Sequence, residues 1–183
     1  PLIVDDKVIF TPVGKKAAMV ALDRKTGEEI WRSPALDHES SYCSPTLVEQ
    51  KAVRMIVTMT DRVVIAFSPK DGSILWQHAY QNFRGNHCDT PIYAEGLLYV
   101  TSGYRKGAIA LRIADDGRSV TQLWEQPKQD PAHGQAVVLD GYVYAASHQS
   151  TTKWSCVELK TGKLMWEDVC VGKGGSVIFA DGM

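Results

Sequence analysis

Ala21-Leu-Asp-Arg-Lys-Thr-Gly27-Glu-Glu-Ile-Trp31 decides the fold, because the chain says it again. Ala66-Phe-Ser-Pro-Lys-Asp-Gly72-Ser-Ile-Leu-Trp76 and Cys156-Val-Glu-Leu-Lys-Thr-Gly162-Lys-Leu-Met-Trp166 follow the same pattern. A further copy, from Ala110 to Trp124, carries insertions around Asp116-Gly117. The tryptophans stand 45, 48 and 42 residues apart, a period that marks a repeat architecture. Within each copy the glycine supplies a tight turn, since it takes a positive φ without a Cβ clash. β-branched and apolar residues on both sides make the copy a hairpin. A tryptophan at one fixed place in each hairpin can lie across the neighbouring unit. Trp31, Trp76, Trp124 and Trp166, with Gly27, Gly72, Gly117 and Gly162, are therefore expected to dock successive units.

The rest of each repeat supplies two more strands. Pro91-Ile-Tyr-Ala-Glu-Gly96-Leu-Leu-Tyr-Val-Thr101 is an apolar run, a turn and a second apolar run. Leu2 to Phe10 and Val137 to Ala146 repeat it. Each unit thus has four short antiparallel strands, A to D in chain order, with no helical pattern between units. That predicts an all-β propeller of about four four-stranded blades. The blades fall over 1–40, 41–85, 86–132 and 133–170, with the start of a fifth over 171–183, all in one domain.

The Ala-x-Asp-x-x-Thr-Gly-x-x-x-Trp wording, complete at Ala21 to Trp31, resembles the repeat of the PQQ-like (quinoprotein-type) β-propellers. The copy at Cys156 departs mildly, and those at Ala66 and Ala110 depart further while keeping Gly and Trp. Rings of that family resemble closures of about seven or eight blades. On that resemblance the chain is expected to be part of a larger ring, with open blade edges able to self-associate. The family contains pyrroloquinoline-quinone dehydrogenases and also non-catalytic scaffolds, and its members are commonly periplasmic or secreted. The resemblance therefore implies a binding or interaction scaffold outside the cytoplasm. The alternative it leaves is part of a quinone-dependent alcohol dehydrogenase, with pyrroloquinoline quinone and calcium as cofactors. The enzyme reading needs basic partners for a tricarboxylate, oxygen ligands for a cation, and a base. Arg84 and Asp89 are candidates for the first and last, and no motif in these blades supplies the cation ligands.

Composition narrows the classes further. A net charge of −1 gives no support for a nucleic-acid partner, and no apolar run is long enough to span a bilayer. The chain has no Gly-x-Ser-x-Gly elbow, His-Glu-x-x-His pair or P-loop. Cys43, Cys88, Cys156 and Cys170 form no Cys-x-x-Cys pair and none is adjacent to another. They read as semi-buried thiols, with a Cys43–Cys88 disulfide as one open pairing.

In a propeller the D-to-A and B-to-C connections share one face. His38, His78, His87, His133 and His148 all fall there by the strand reading. That His-rich face is the expected surface for a protein partner or small ligand. Its candidates are Arg84, Asn86, His87, Cys88, Asp89, His133, Gln135 and His148. His with Cys or Asp can bind a metal such as zinc, or can form a hydrogen-bonding rim around water. The loops at Lys15-Lys16, Arg105-Lys106 and Lys153 add a mildly basic outer rim.

Overall fold

A computed structural model describes residues 1–147, 153–169 and 175–181. The first sheet is β1 (Leu2–Val4), β2 (Lys7–Phe10), β3 (Val20–Asp23) and β4 (Glu29–Arg32). The second is β5 (Thr46–Gln50), β6 (Val53–Met59), β7 (Val63–Phe67) and β8 (Ile74–Ala79). The third is β9 (Ile92–Ala94), β10 (Leu97–Ser102), β11 (Gly107–Ile113) and β12 (Val120–Gln126). The fourth is β13 (Val137–Leu139), β14 (Tyr142–Ala146), β15 (Lys153–Glu158) and β16 (Leu164–Val169). Each sheet pairs its strands antiparallel in chain order. Four blades of a β-propeller result, and the described residues contain no helix. Residues 175–181, matched in sequence to the first strand of a fifth blade, carry no strand.

The central strands read as continuous apolar runs because both their faces are covered. In blade two, Ile56, Ile65 and Phe67 pack on Ile9, Met19, Ala21 and Trp31 of blade one. The alternate residues Met55, Val57, Val64 and Ala66 pack the other way, on Leu98, Val100, Ile109 and Leu111 of blade three. Leu97, Tyr99 and Ala108 then meet Ala136, Val143 and Ala145 of blade four. The period-two alternation of a strand thus sorts each apolar run between two neighbours.

Every C–D pair carries a β-bulge at the repeat tryptophan. Ala21 pairs with Trp31 but Leu22 with Glu29, so Ile30 is the extra residue. The same step recurs at Ala66–Trp76, Ala110–Trp124 and Cys156–Trp166. A bulge bends its strand and strengthens the local twist, placing the next side chain out of simple alternation.

Two of the tryptophans reach the turn of the next blade. Trp31 donates Nε1 to the Pro69 carbonyl at 3.2 Å, and Trp124 to the Leu159 carbonyl at 2.8 Å. In both cases the acceptor stands three residues before the glycine of the next blade's turn, and the ring lies on that glycine. Trp76 is equally buried, but its Nε1 has no partner. The insertion in blade three explains the difference. Gly72 and Gly162 each bond back to the carbonyl four residues earlier, whereas Gly117 bonds to Ala114, three earlier. That occupies the carbonyl a tryptophan would use, and Gln50 Nε2 takes it as well. Gly117 itself packs on Val53 and Met55. Trp166 is 47% exposed, and Gly27 has nothing within 4 Å of a built Cβ, so neither docks among the described residues. Both Trp→Phe changes empty buried volume, but Trp31→Phe should cost about 1 kcal/mol more than Trp76→Phe, because it also breaks a hydrogen bond that Trp76 does not make. Urea titration followed by circular dichroism measures both, and equal losses would contradict the turn argument.

Candidate functional site

The connection from β8 to β9 builds the face. Asn82, itself buried, folds it around one side chain. Its Oδ1 accepts from the backbone N of Arg84 at 2.8 Å and of Asn86 at 3.3 Å. Its Nδ2 donates to the Asn86 carbonyl and, at 2.8 Å, to Ser102 Oγ at the end of β10. Gly85, at φ 66°, lies close to Asp61 in the β6–β7 turn. A loop curled inward on Asn82 has to turn the residues between its contacts outward, and Phe83 is 71% exposed. The Arg84 guanidinium lies over its ring, 5.3 Å from the centroid. Tyr104, from the β10–β11 connection, meets Phe83 edge-on at 5.8 Å and 84°. Tyr104 and Arg105 both hold φ 63°, a left-handed pair that an L residue seldom adopts even singly. A cleft of 610 Å³ runs between Gln81, Phe83, Tyr104 and Lys106. Lys106 is 3.5 Å from Glu125. The Arg84 and Arg105 guanidiniums have no ion pair among the described residues.

Beneath this rim lies a buried, polar floor. His87 is 0% exposed. Its backbone N donates to Ser41 Oγ at 2.9 Å, its Nδ1 is 2.9 Å from Ser102 Oγ, and its ring tilts over Tyr80 at 5.4 Å. Its Nε2 is buried without a partner. Burial lowers its pKa from 6.5 to about 4, against the Asp61 backbone, which approaches the ring without a well-formed hydrogen bond to Nε2, and the Asp61 charge, and helped by Lys106. Asp89 is 3% exposed with Oδ2 unpartnered, and burial raises its pKa from 3.8 to about 7. Burial, and then Asp89, push the Cys88 thiol upward. Asp130, in the β12–β13 connection, is fully buried with both carboxyl oxygens unpartnered.

The other candidates disperse. Gln135 and Thr90 bond each other twice, Thr90 N to Oε1 at 3.1 Å and Nε2 to the Thr90 carbonyl at 2.9 Å. Gln135 therefore ties blade three to blade four. His133 is exposed and His148 lies outside the described residues. His78 sits on β8, not in the connection expected to hold it, and bonds Gln122 of β12 at 3.1 Å. His38 bonds Thr60 at 3.0 Å. Cys43 and Cys88 are free thiols, so the disulfide left open by the sequence is not formed. No three His, Cys, Asp or Glu side chains among the described residues converge as metal ligands. The quinone pair is not assembled either. Arg84 lies outside over Phe83, while the Asp89 carboxyl is buried below and holds its proton up to about pH 7, so the described residues do not fit that cofactor.

Sequence reasoning placed Arg84 and Arg105 on this face but missed Phe83 and Tyr104 between them, and Asn82 as the side chain that folds the loop; it also missed the buried Gln129. The run Asn82-Phe-Arg-Gly85 is a turn signal that could have pointed to the first group. Gln129 is wholly buried, accepts from Tyr99 OH at 3.1 Å and donates to the Val143 carbonyl at 3.1 Å. Nothing local in the sequence announces that role.

A family model described as the outer membrane protein assembly factor BamB matches residues 1–183. Among solved structures, BamB from Moraxella catarrhalis superposes with a TM-score of 0.69 at 16% identity, over 96% of this chain and 54% of that one. The computationally designed Ika8 protein superposes with a TM-score of 0.61 at 12% identity, over 98% of this chain and 52% of that one. At these identities the likeness to both is one of fold. The chain spans about half the length of each. No curated protein sequence matches it.

Proposed function

We propose, from the premise that this chain belongs to the family of the outer membrane protein assembly factor BamB, that it is a protein-binding scaffold of an extracytoplasmic, periplasmic compartment. The observation that carries the reading is the rim of Phe83, Arg84, Tyr104 and Arg105. An exposed Phe83 meeting a half-buried Tyr104, with the guanidiniums of Arg84 and Arg105 beside them and in no ion pair among the described residues, has the composition of an interface centre, where Tyr, Trp, Phe and Arg are enriched. Asn82 and the strained Tyr104-Arg105 backbone hold that rim on a rigid scaffold, which limits the ordering cost of binding. The quinone-dehydrogenase alternative has no such observation in its favour.

The test places a photo-crosslinking amino acid at position 83 of the full-length protein in its own cells. The expected result is one discrete adduct with a cell-envelope protein, reduced at least about tenfold by Arg84→Glu, since a central charged contact is worth about 2 kcal/mol or more. The same group at position 163, on the opposite face, should give no such adduct. An adduct indifferent to Arg84→Glu, or none specific to position 83, overturns the reading.

A further inference from the structure

Two orphaned polar groups lie two residues apart under the loop that carries Phe83 and Arg84. His87 Nε2 and Asp89 Oδ2 are both buried without a hydrogen-bond partner. Buried from solvent, each group is most stable uncharged, as imidazole and as carboxylic acid. His87 faces Asp61 of the β6–β7 turn, Lys106 of the β10–β11 connection and Tyr80 at the end of β8. Asp89 faces the phenols of Tyr80 and Tyr99 and the Cys88 thiol, with Glu125 reaching the same Tyr80 and, among the described residues, no cation set against the carboxyl. Two of the hydrogen bonds that hold the loop shut, to Ser41 Oγ and Ser102 Oγ, run through His87, and Asn82 Nδ2 adds a second bond to Ser102 Oγ.

We propose that His87 and Asp89 form an opposed latch: opening the loop of residues 81–89 moves, in effect, one proton from Asp89 to His87, so closure keeps nearly constant strength across mildly acidic pH. Opening brings water to both groups at once. The hydrated carboxyl loses its proton and the hydrated imidazole gains one, and the proton count does not change. The window follows from the two groups. The closed loop holds His87 at about 4 against 6.5 when free, and Asp89 at about 7 against 3.8. The raised Asp89 makes opening easier by about tenfold per pH unit as pH rises from about 4 to 7. The lowered His87 makes opening easier by about tenfold per unit as pH falls from about 6.5 to 4. Between about pH 4 and 6.5 the two slopes cancel. The meaning for partner docking rests on the scaffold reading above, whereas the latch itself does not.

Amide hydrogen exchange of the 81–89 segment in the full-length protein, corrected for chemical exchange rates, tests this between about pH 4.5 and 6.5. Wild-type protection should vary by less than about threefold. Asp89→Asn leaves His87 unopposed, so loop exchange should accelerate about a hundredfold as pH falls across the window. His87→Gln leaves Asp89 unopposed, so it should accelerate about a hundredfold as pH rises. A wild-type profile that changes tenfold or more overturns the latch, and so does a flat profile in either variant. Amides of β10 and β11 report global opening, and the same variant profiles in them would also overturn it. Failure of cross-linking at position 83 changes none of these outcomes, so the two readings fall separately.

Discussion

Trp31→Ala should lower the unfolding free energy by about 3–5 kcal/mol, and Trp166→Ala by less than about 1 kcal/mol. The two residues hold the same position in the same repeat, so sequence gives no reason to separate them. The structure does. Trp31 is buried among Ile9, Met19, Ile65 and Phe67, lies on Gly72, and donates to the Pro69 carbonyl. Its removal empties a space between two blades that rigid sheets cannot collapse to fill. Trp166 is about half exposed, and the ring contact described for it is with Tyr144 of its own blade, at 6.3 Å. Urea denaturation followed by far-ultraviolet circular dichroism reads both variants without depending on the missing indole. Equal losses at the two positions would mean that the tryptophans stabilise their own hairpins and do not dock blades.

The same contrast shows how much of the molecule was legible beforehand. The Gly-to-Trp wording named the blades because a glycine turn and an apolar strand are local facts, and so was the insertion at Asp116-Gly117. What that insertion does was not legible. It shifts the Gly117 bond to Ala114 and leaves the Trp76 indole without an acceptor, which depends on a carbonyl in a different blade. The bulge before each tryptophan was invisible for a similar reason, since it exists only as a register between two strands. At the candidate face, sequence identified His87 and Asp89 as polar candidates of the His-rich face but could not know that Ser41, Ser102 and Tyr80 would enclose His87. Gln135 looked like a ligand for the opposite reason: its amide is spent on Thr90 of a neighbouring blade. Residue type was readable, and what surrounded each residue was not.

Gly72→Ala should cost about 3 kcal/mol and Gly27→Ala about 1 kcal/mol, although both glycines occupy the same turn with nearly the same backbone. Gly27 stands at φ 76° and Gly72 at φ 72°, and each donates its N to the carbonyl four residues back at 2.9 Å. An L residue in that left-handed conformation costs about 1 kcal/mol at either site. Gly27 has open space where a Cβ would go. At Gly72 a Cβ would stand 2.5 Å from Trp31 Cε3 and 2.8 Å from Cζ3, so the ring must move. Moving it strains the Pro69 hydrogen bond and the packing between blades one and two, an overpacking cost of about 2 kcal/mol. The decisive measurement is the double-mutant cycle of Gly72→Ala with Trp31→Ala, because only the ring distinguishes the two turns. With Trp31 removed, Gly72→Ala should fall to the cost of Gly27→Ala, a coupling of about 2 kcal/mol. If Gly72→Ala costs the same with and without the indole, the glycine serves only the turn, and the close seating of tryptophan on glycine adds nothing to how these blades hold together.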